Sequence, residues 1–227
     1  MPNLRSPSII TRLTDNLGAV TLRRRSVIEF ARRHKLIYFR SVKHNNSSAP
    51  VIRSSTTAVG QVDTNFCVGT HAGYDLALVE RLANVGFGEY KTTIHRWYVL
   101  QIDLKSASNL PFIFVGTKQQ TKAYYAKLLT AHRELRYMAV DGSSKSSKDF
   151  HSHYAVLSSP AHTPTLYRFL NNDMIEMIAG HKYPFALEIQ DDVLYVITEA
   201  TKPNQQLLDK LLHYGLWVAK EIDQRLK

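Results

Sequence analysis

Only one cysteine, Cys67, occurs in the 227 residues, so neither an intrachain disulfide nor a zinc site built on paired thiolates is available to this chain. That usage suits a reducing compartment. Long hydrophobic runs are missing as well. The uncharged stretch Ser106 to Thr117 has 12 residues and is interrupted by Pro111, well short of the roughly 18 that span a bilayer. The N-terminus lacks the apolar stretch of a secretory leader, because "SPSII" is followed at once by Arg12 and Asp15. Arg23-Arg24-Arg25 resembles a twin-arginine export signal, but Glu29, Arg32 and Arg33 stand where its apolar segment would have to follow. A cytoplasmic protein is the expectation.

Acidic residues are scarce at one end. Residues 1–53 hold 11 Lys or Arg against two acids, Asp15 and Glu29, a balance of +9. The remaining 18 cations face 17 acids, leaving +1 of the total +10. The chain is therefore a near-neutral body with a basic N-terminal segment. Its 44% hydrophobic content and its length are enough to bury a core.

The periodicity predicts an α+β fold, mainly antiparallel sheet with packed helices. Residues 1–20 read as a flexible basic arm and 21–227 as a single domain. Leu22 to Lys35 reads as a helix, with Val27, Phe30, Ala31 and His34 on one stripe. "WYVLQIDL" and "LPFIFVG" read as strands, as does "NFCVGTH". "YDLALVERLANVG" reads as a short helix capped by Asp75 and closed by Gly86. Lys118 to Ala131 has helical spacing, whereas "DGSSKSSKD" (141–149) reads as a polar loop and "SPAHTP" as a turn. Asp173 and Glu176 suggest a capping box, with Gly180 as a left-handed cap. "FALEIQ" and "VLYVIT" then form a hairpin around Asp191-Asp192. An amphipathic C-terminal helix from Asn204 to about Arg225 presents Leu208, Leu211, Leu212, Leu216 and Ala219.

Several segments, "IEFARRHKLIYF", "GFGEYKTTIHRWYVLQIDL" with "LPFIFVGTK", and "DFHSHYAVLSSP" running into "LYRFLNNDMIEMIAG" and "FALEIQDDVLYVIT", resemble a group of uncharacterised bacterial proteins. The resemblance extends over roughly residues 25–200. In many members of the group, transmembrane helices precede a soluble α+β domain, so the resemblance implies that fold and a setting near the membrane. It implies no catalytic residue. This chain differs from those members in having no transmembrane stretch.

The chemistry-bearing motifs are sparse. His151-x-His153 with His162, and Asp149 beside them, would share one face if His151 and His153 lay on a strand; the three histidines are expected to be spread apart, with no metal and no cofactor. "GFGEY" (86–90) lacks the third glycine of a dinucleotide fingerprint, and "VGTK" (115–118) lacks the upstream glycine of a phosphate loop. Cys67 reads as a small buried hydrophobe, and Asp191-Asp192 as a solvated hairpin tip. What remains is the basic helix: Arg23, Arg24, Arg25, Arg32, Arg33 and Lys35 are the candidate residues for binding an anionic surface. At 100° per residue, Arg25, Arg32 and Lys35 fall together, while Arg24 lies nearer the apolar stripe. The expectation is a non-enzymatic interaction or scaffold module, peripheral to the inner face of the membrane, with an unidentified protein partner. The rival is a nucleic-acid-binding protein using the same segment, and the weaker alternative a metal-dependent hydrolase.

Overall fold

A computed structural model describes residues 9–41, 52–57, 61–85, 93–105, 109–118, 122–140, 145–181, 183–200 and 203–225. In chain order its elements are α1 (Ile9–Arg33), β1 (Ile37–Phe39), β2 (Val62–His71), β3 (Tyr74–Val85), β4 (Thr93–Asp103), β5 (Leu110–Thr117), α2 (Lys122–Ala131), β6 (Arg136–Tyr137), α3 (Lys145–His153), β7 (Tyr154–Ser158), α4 (Thr163–Phe169), α5 (Asn172–His181), β8 (Phe185–Asp191), β9 (Val193–Glu199) and α6 (Gln205–Arg225). The nine strands form one sheet in the order β1-β2-β3-β4-β9-β8-β5-β7-β6, and every neighbouring pair is antiparallel. The α+β class read from the sequence is the class observed.

The sheet separates two cores. On one face Leu78, Tyr98, Leu100, Ile102, Leu187, Leu194 and Val196 pack against apolar residues of α1, α5 and α6. On the other, Val79, Trp97, Val99, Phe114 and Ile197 pack under Ala123, Tyr124, Tyr125 and Leu128 of α2, and under Ile52. A strand buried on both sides has no polar face. This is why β3 misleads: Leu76, Leu78 and Leu82 point one way and Ala77, Val79 and Ala83 the other, an apolar pattern on both faces, broken by buried Glu80 and Arg81, that also satisfies helical spacing. The segment expected as a short helix capped by Asp75 is therefore a strand, opened by a tight hairpin in which Ala72 and Gly73 both have positive φ.

Three further expectations are corrected. The flexible arm 1–20 is helical from Ile9 onward, while residues 1–8 lie outside those described. The polar loop expected at 141–149 is helical from Lys145, anchored by fully buried Phe150, with 141–144 outside the described residues. The helix α5 is capped by Asn171, whose Oδ1 accepts the Met174 N–H at 3.1 Å, so Asp173 sits within the first turn. Its end also differs: the helix runs through Gly180 to His181, and positive-φ glycines among the described residues are Gly69 and Gly73.

The C-terminal helix forms as its pattern predicts. Asn204 Oδ1 caps it by accepting the Leu207 N–H at 2.7 Å. Gly215 lets α6 lie close against the sheet, since a Cβ there would stand 2.8 Å from Ile102 Cδ1 and 3.0 Å from Val196 Cγ2.

Candidate functional site

The six basic residues of the N-terminal segment do not form one free face. Val27, Phe30 and Ala31 bury α1 against the sheet. Arg23 turns to the same side and lies 3.5 Å from Glu80, a buried carboxylate on β3 that also receives Arg96 and the Asn65 amide. Arg33 pairs with Asp209 of α6, and Arg25 with Glu29 one turn along at 2.9 Å. Arg24 is half-buried, as its nearness to the apolar stripe suggests. Arg32 and Lys35 are exposed. Arg25 and Arg32 thus share the outward side of the helix with Ile28, and Leu22 is exposed on the same helix.

Histidines converge where α1 meets α6. The His34 ring lies 4.9 Å from that of His71 and 6.3 Å from that of His213, and His34 Nε2 is 2.9 Å from Asp209 Oδ1. Burial, then the neighbouring charge of His34, pushes the His71 imidazole below its usual range. Burial alone would raise the Asp209 carboxyl, but hydrogen bonds from His34 and Arg33 outweigh it and hold the group low.

The opposite face carries a site that the sequence did not mark. Residues 52–57 cross it as a strap, fixed by Arg81 of β3, whose side chain is fully buried. Its guanidinium donates to Asp63 through Nε and Nη2, both at 2.8 Å, to Ile52 O at 2.6 Å and to Thr56 Oγ1 at 2.9 Å. Such a fork satisfies a buried cation by geometry as well as charge. Lys127 of α2 donates to Thr57 O, and Ser55 Oγ meets Tyr124 Oη at 2.6 Å.

At the strap's centre the Ser55 N–H is shared between the two oxygens of Glu188, at 3.1 and 2.9 Å. Glu188 is 1% exposed and forms no ion pair within 4.0 Å among the described residues. Burial raises its carboxyl to about 7, against the opposing hydrogen bonds of Ser55 and the charge of Arg81. It lines a cavity of about 210 Å³ together with Arg53, Ser54, Ser55, Thr57, His132 and Gln190. The legible sign was one acid inside "FALEIQ", a strand otherwise apolar at its inward positions on both faces.

The remaining motifs are dispersed. His151 and His153 lie in the last turn of α3 and not on a strand, so they stand about 200° apart around the helix. His151 Nε2 contacts Val140 O at 2.9 Å, and His162 belongs to a separate 3-10 turn, Pro160–His162. Among the described residues no group of three or more His, Cys, Asp or Glu is placed to hold a metal ion. Burial pushes the Cys67 thiol up to about 12, which leaves it protonated and unreactive at neutral pH. Asp191 and Asp192 are exposed at their hairpin, and 86–90 lies outside the described residues. No helix among the described residues is long and apolar enough to cross a membrane.

Comparison with family models and with curated proteins finds no match for this chain. Among solved structures, the crystal structure of the mycobacterial trehalose monomycolate transport factor A, TtfA, is similar with a TM-score of 0.57. Identity is 13%, over 90% of this chain and 94% of that one. At that identity the likeness is one of fold.

Proposed function

We propose that the protein is a non-enzymatic accessory or scaffold module that docks peripherally on the anionic inner face of a membrane through the outward side of α1. The observation that carries this reading is the division of labour around that helix. Arg23 and Arg33 hold it to the domain through Glu80 and Asp209, while Arg25, Arg32 and Lys35 remain at the surface beside exposed Ile28 and Leu22. Cations flanking apolar side chains suit an interface between headgroups and acyl chains, each cation adding on the order of 1 kcal/mol near an anionic surface. The fold shared with a protein named as a transport factor supports an accessory role over a catalytic one. Kinship with the bacterial group whose members carry transmembrane helices belongs to the same proposal. A protein partner would find further apolar surface at Ile37 and Phe39 of the edge strand β1, both exposed.

Co-sedimentation with phosphatidylglycerol vesicles, compared with phosphatidylcholine vesicles and with duplex and single-stranded nucleic acid at one ionic strength, tests the proposal. Binding to the anionic vesicles should exceed binding to nucleic acid and should disappear in the Arg25→Glu/Arg32→Glu/Lys35→Glu variant. Tight nucleic-acid binding without vesicle binding would replace this reading with a nucleic-acid-binding one.

A further inference from the structure

The cavity under the strap presents opposite charges at its floor and its opening. Its floor is the Glu188 carboxylate, set on β8 opposite Phe114 of β5 and Tyr195 of β9. Both oxygens are anchored by the Ser55 N–H, which fixes the plane of the group and leaves their other lone pairs unclaimed by any cation among the described residues. Exposed Arg53 stands at the opening, with no ion pair among the described residues, and half-buried His132 is held there by stacking on Phe112 at 4.4 Å between ring centroids.

A simple anion would meet the buried carboxylate, and a simple cation would meet Arg53. Only a dipolar molecule satisfies both ends. Ser54, Ser55 and Thr57 form the walls, their hydroxyls tied to Arg81 and Tyr124, so the polar groups offered to an occupant are those at the two ends. The volume of about 210 Å³ lies below the range of roughly 300–1,000 Å³ typical of drug-sized ligands, so the occupant is small. We propose that this cavity binds a small zwitterion of the amino-acid type, its ammonium on Glu188 and its carboxylate on Arg53 and His132.

The site lies on the face away from α1, so the proposal is independent of membrane docking. It also sets a pH dependence. The charged and titratable groups around Glu188 are Arg81 from β3, Tyr195 from β9, Tyr124 and Lys127 from α2, Arg53 from the strap, and His132 after α2. Burial holds Tyr124 and Tyr195 well above their usual range and lowers Lys127. Of these, the Glu188 carboxyl is the one that burial moves close to neutrality. An ammonium requires the ionised carboxylate, so binding expels the proton that Glu188 retains up to about pH 7. Affinity should fall roughly tenfold per pH unit below that point.

Titration of the ¹⁵N-labelled full chain with glycine and with L-serine, followed at the Ser55 amide, provides the test. Methylammonium and acetate serve as the two half-probes. Saturable shifts are expected for the amino acids at about pH 8, with each half-probe at least roughly tenfold weaker. Glu188→Gln should abolish the shifts. Arg53→Gln, a surface change that leaves the fold intact, should weaken the amino acids but not methylammonium. The proposal is overturned if either half-probe matches glycine, if Glu188→Gln binds as well as the parent, or if no shift appears at millimolar concentrations.

Discussion

Two glutamates, Glu80 and Glu188, are equally buried in the same sheet, yet they sit in opposite electrostatic settings. Glu80 lies on the face covered by α1, where Arg23, Arg96 and Asn65 all turn towards it. Glu188 lies on the face covered by the strap, where Ser55 is its hydrogen-bond donor and no cation pairs with it among the described residues. The difference teaches what each face is for. A carboxylate with two guanidinium partners is a fixed joint, tying α1 to β3 and β4. A carboxylate without a counterion is held protonatable by burial and faces a cavity, so it can respond to pH or to a ligand. The first face is built to hold a helix in place, and the second retains an unfinished charge.

The largest expected effect tests the helical face. Ile178 of α5 is fully buried in that core, so Ile178→Asp should cost about 4 kcal/mol or more by burying an unpaired charge. Urea unfolding measures it; a variant with the parent's midpoint would mean that α5 is not part of the core. Glu80→Gln comes next. A neutral amide leaves Arg23 and Arg96 without their counterion, at a cost of about 3 kcal/mol, below the full cost for a wholly buried pair because both arginine side chains are partly solvated. An unchanged urea midpoint at neutral pH would show that solvent, and not Glu80, satisfies the two arginines.

Glu188→Gln should act in the opposite direction, and only at high pH. The folded carboxyl is raised from 4.5 to about 7. Between those values the folded chain keeps a proton that the unfolded chain has lost, so stability falls as pH rises through the window. From about pH 5.5 to about pH 8 the parent should lose roughly 2 kcal/mol relative to the variant, with no further divergence above. Paired denaturation curves at the two pH values decide it. Parallel behaviour of the two proteins across that range would mean that Glu188 is already ionised in the fold, and the contrast with Glu80 would collapse.

The sequence made one of these faces far more legible than the other. Helix α6 and the helical part of α1 near Phe30 were readable because each buries one stripe, and the β8–β9 hairpin because its strands are rich in β-branched and aromatic residues. The pattern failed at β3, where burial on both faces erased the alternation. It also failed for the strap, because "RSSTT" looks like any polar loop and its order comes from Arg81, which is distant in sequence. Counting arginines likewise could not reveal that Arg23 and Arg33 are paired with carboxylates of the domain, since Glu80 and Asp209 lie on other elements. Buried charge is legible in a sequence only when its partner is local.

The smallest expected effect separates the structural and surface roles of α1 at its C-terminal end. Lys35 has φ of 58°, the left-handed region. Around it, Leu36 N–H donates to Ala31 O at 2.8 Å and Lys35 N–H to Arg32 O at 3.4 Å, the paired bonds of a Schellman cap. Glycine adopts that conformation without a Cβ penalty, although its greater freedom in the unfolded chain offsets part of the gain. Lys35→Gly should therefore stabilise the protein by about 0.5 kcal/mol, whereas Lys35→Gln should not. Both variants lose the same cation. If that cation contacts an anionic surface, the two should bind phosphatidylglycerol vesicles equally and more weakly than the parent, despite their different stabilities. Retention of parental vesicle binding by both would leave Lys35 as a solvated cap residue and would restrict the proposed contact to Arg25 and Arg32.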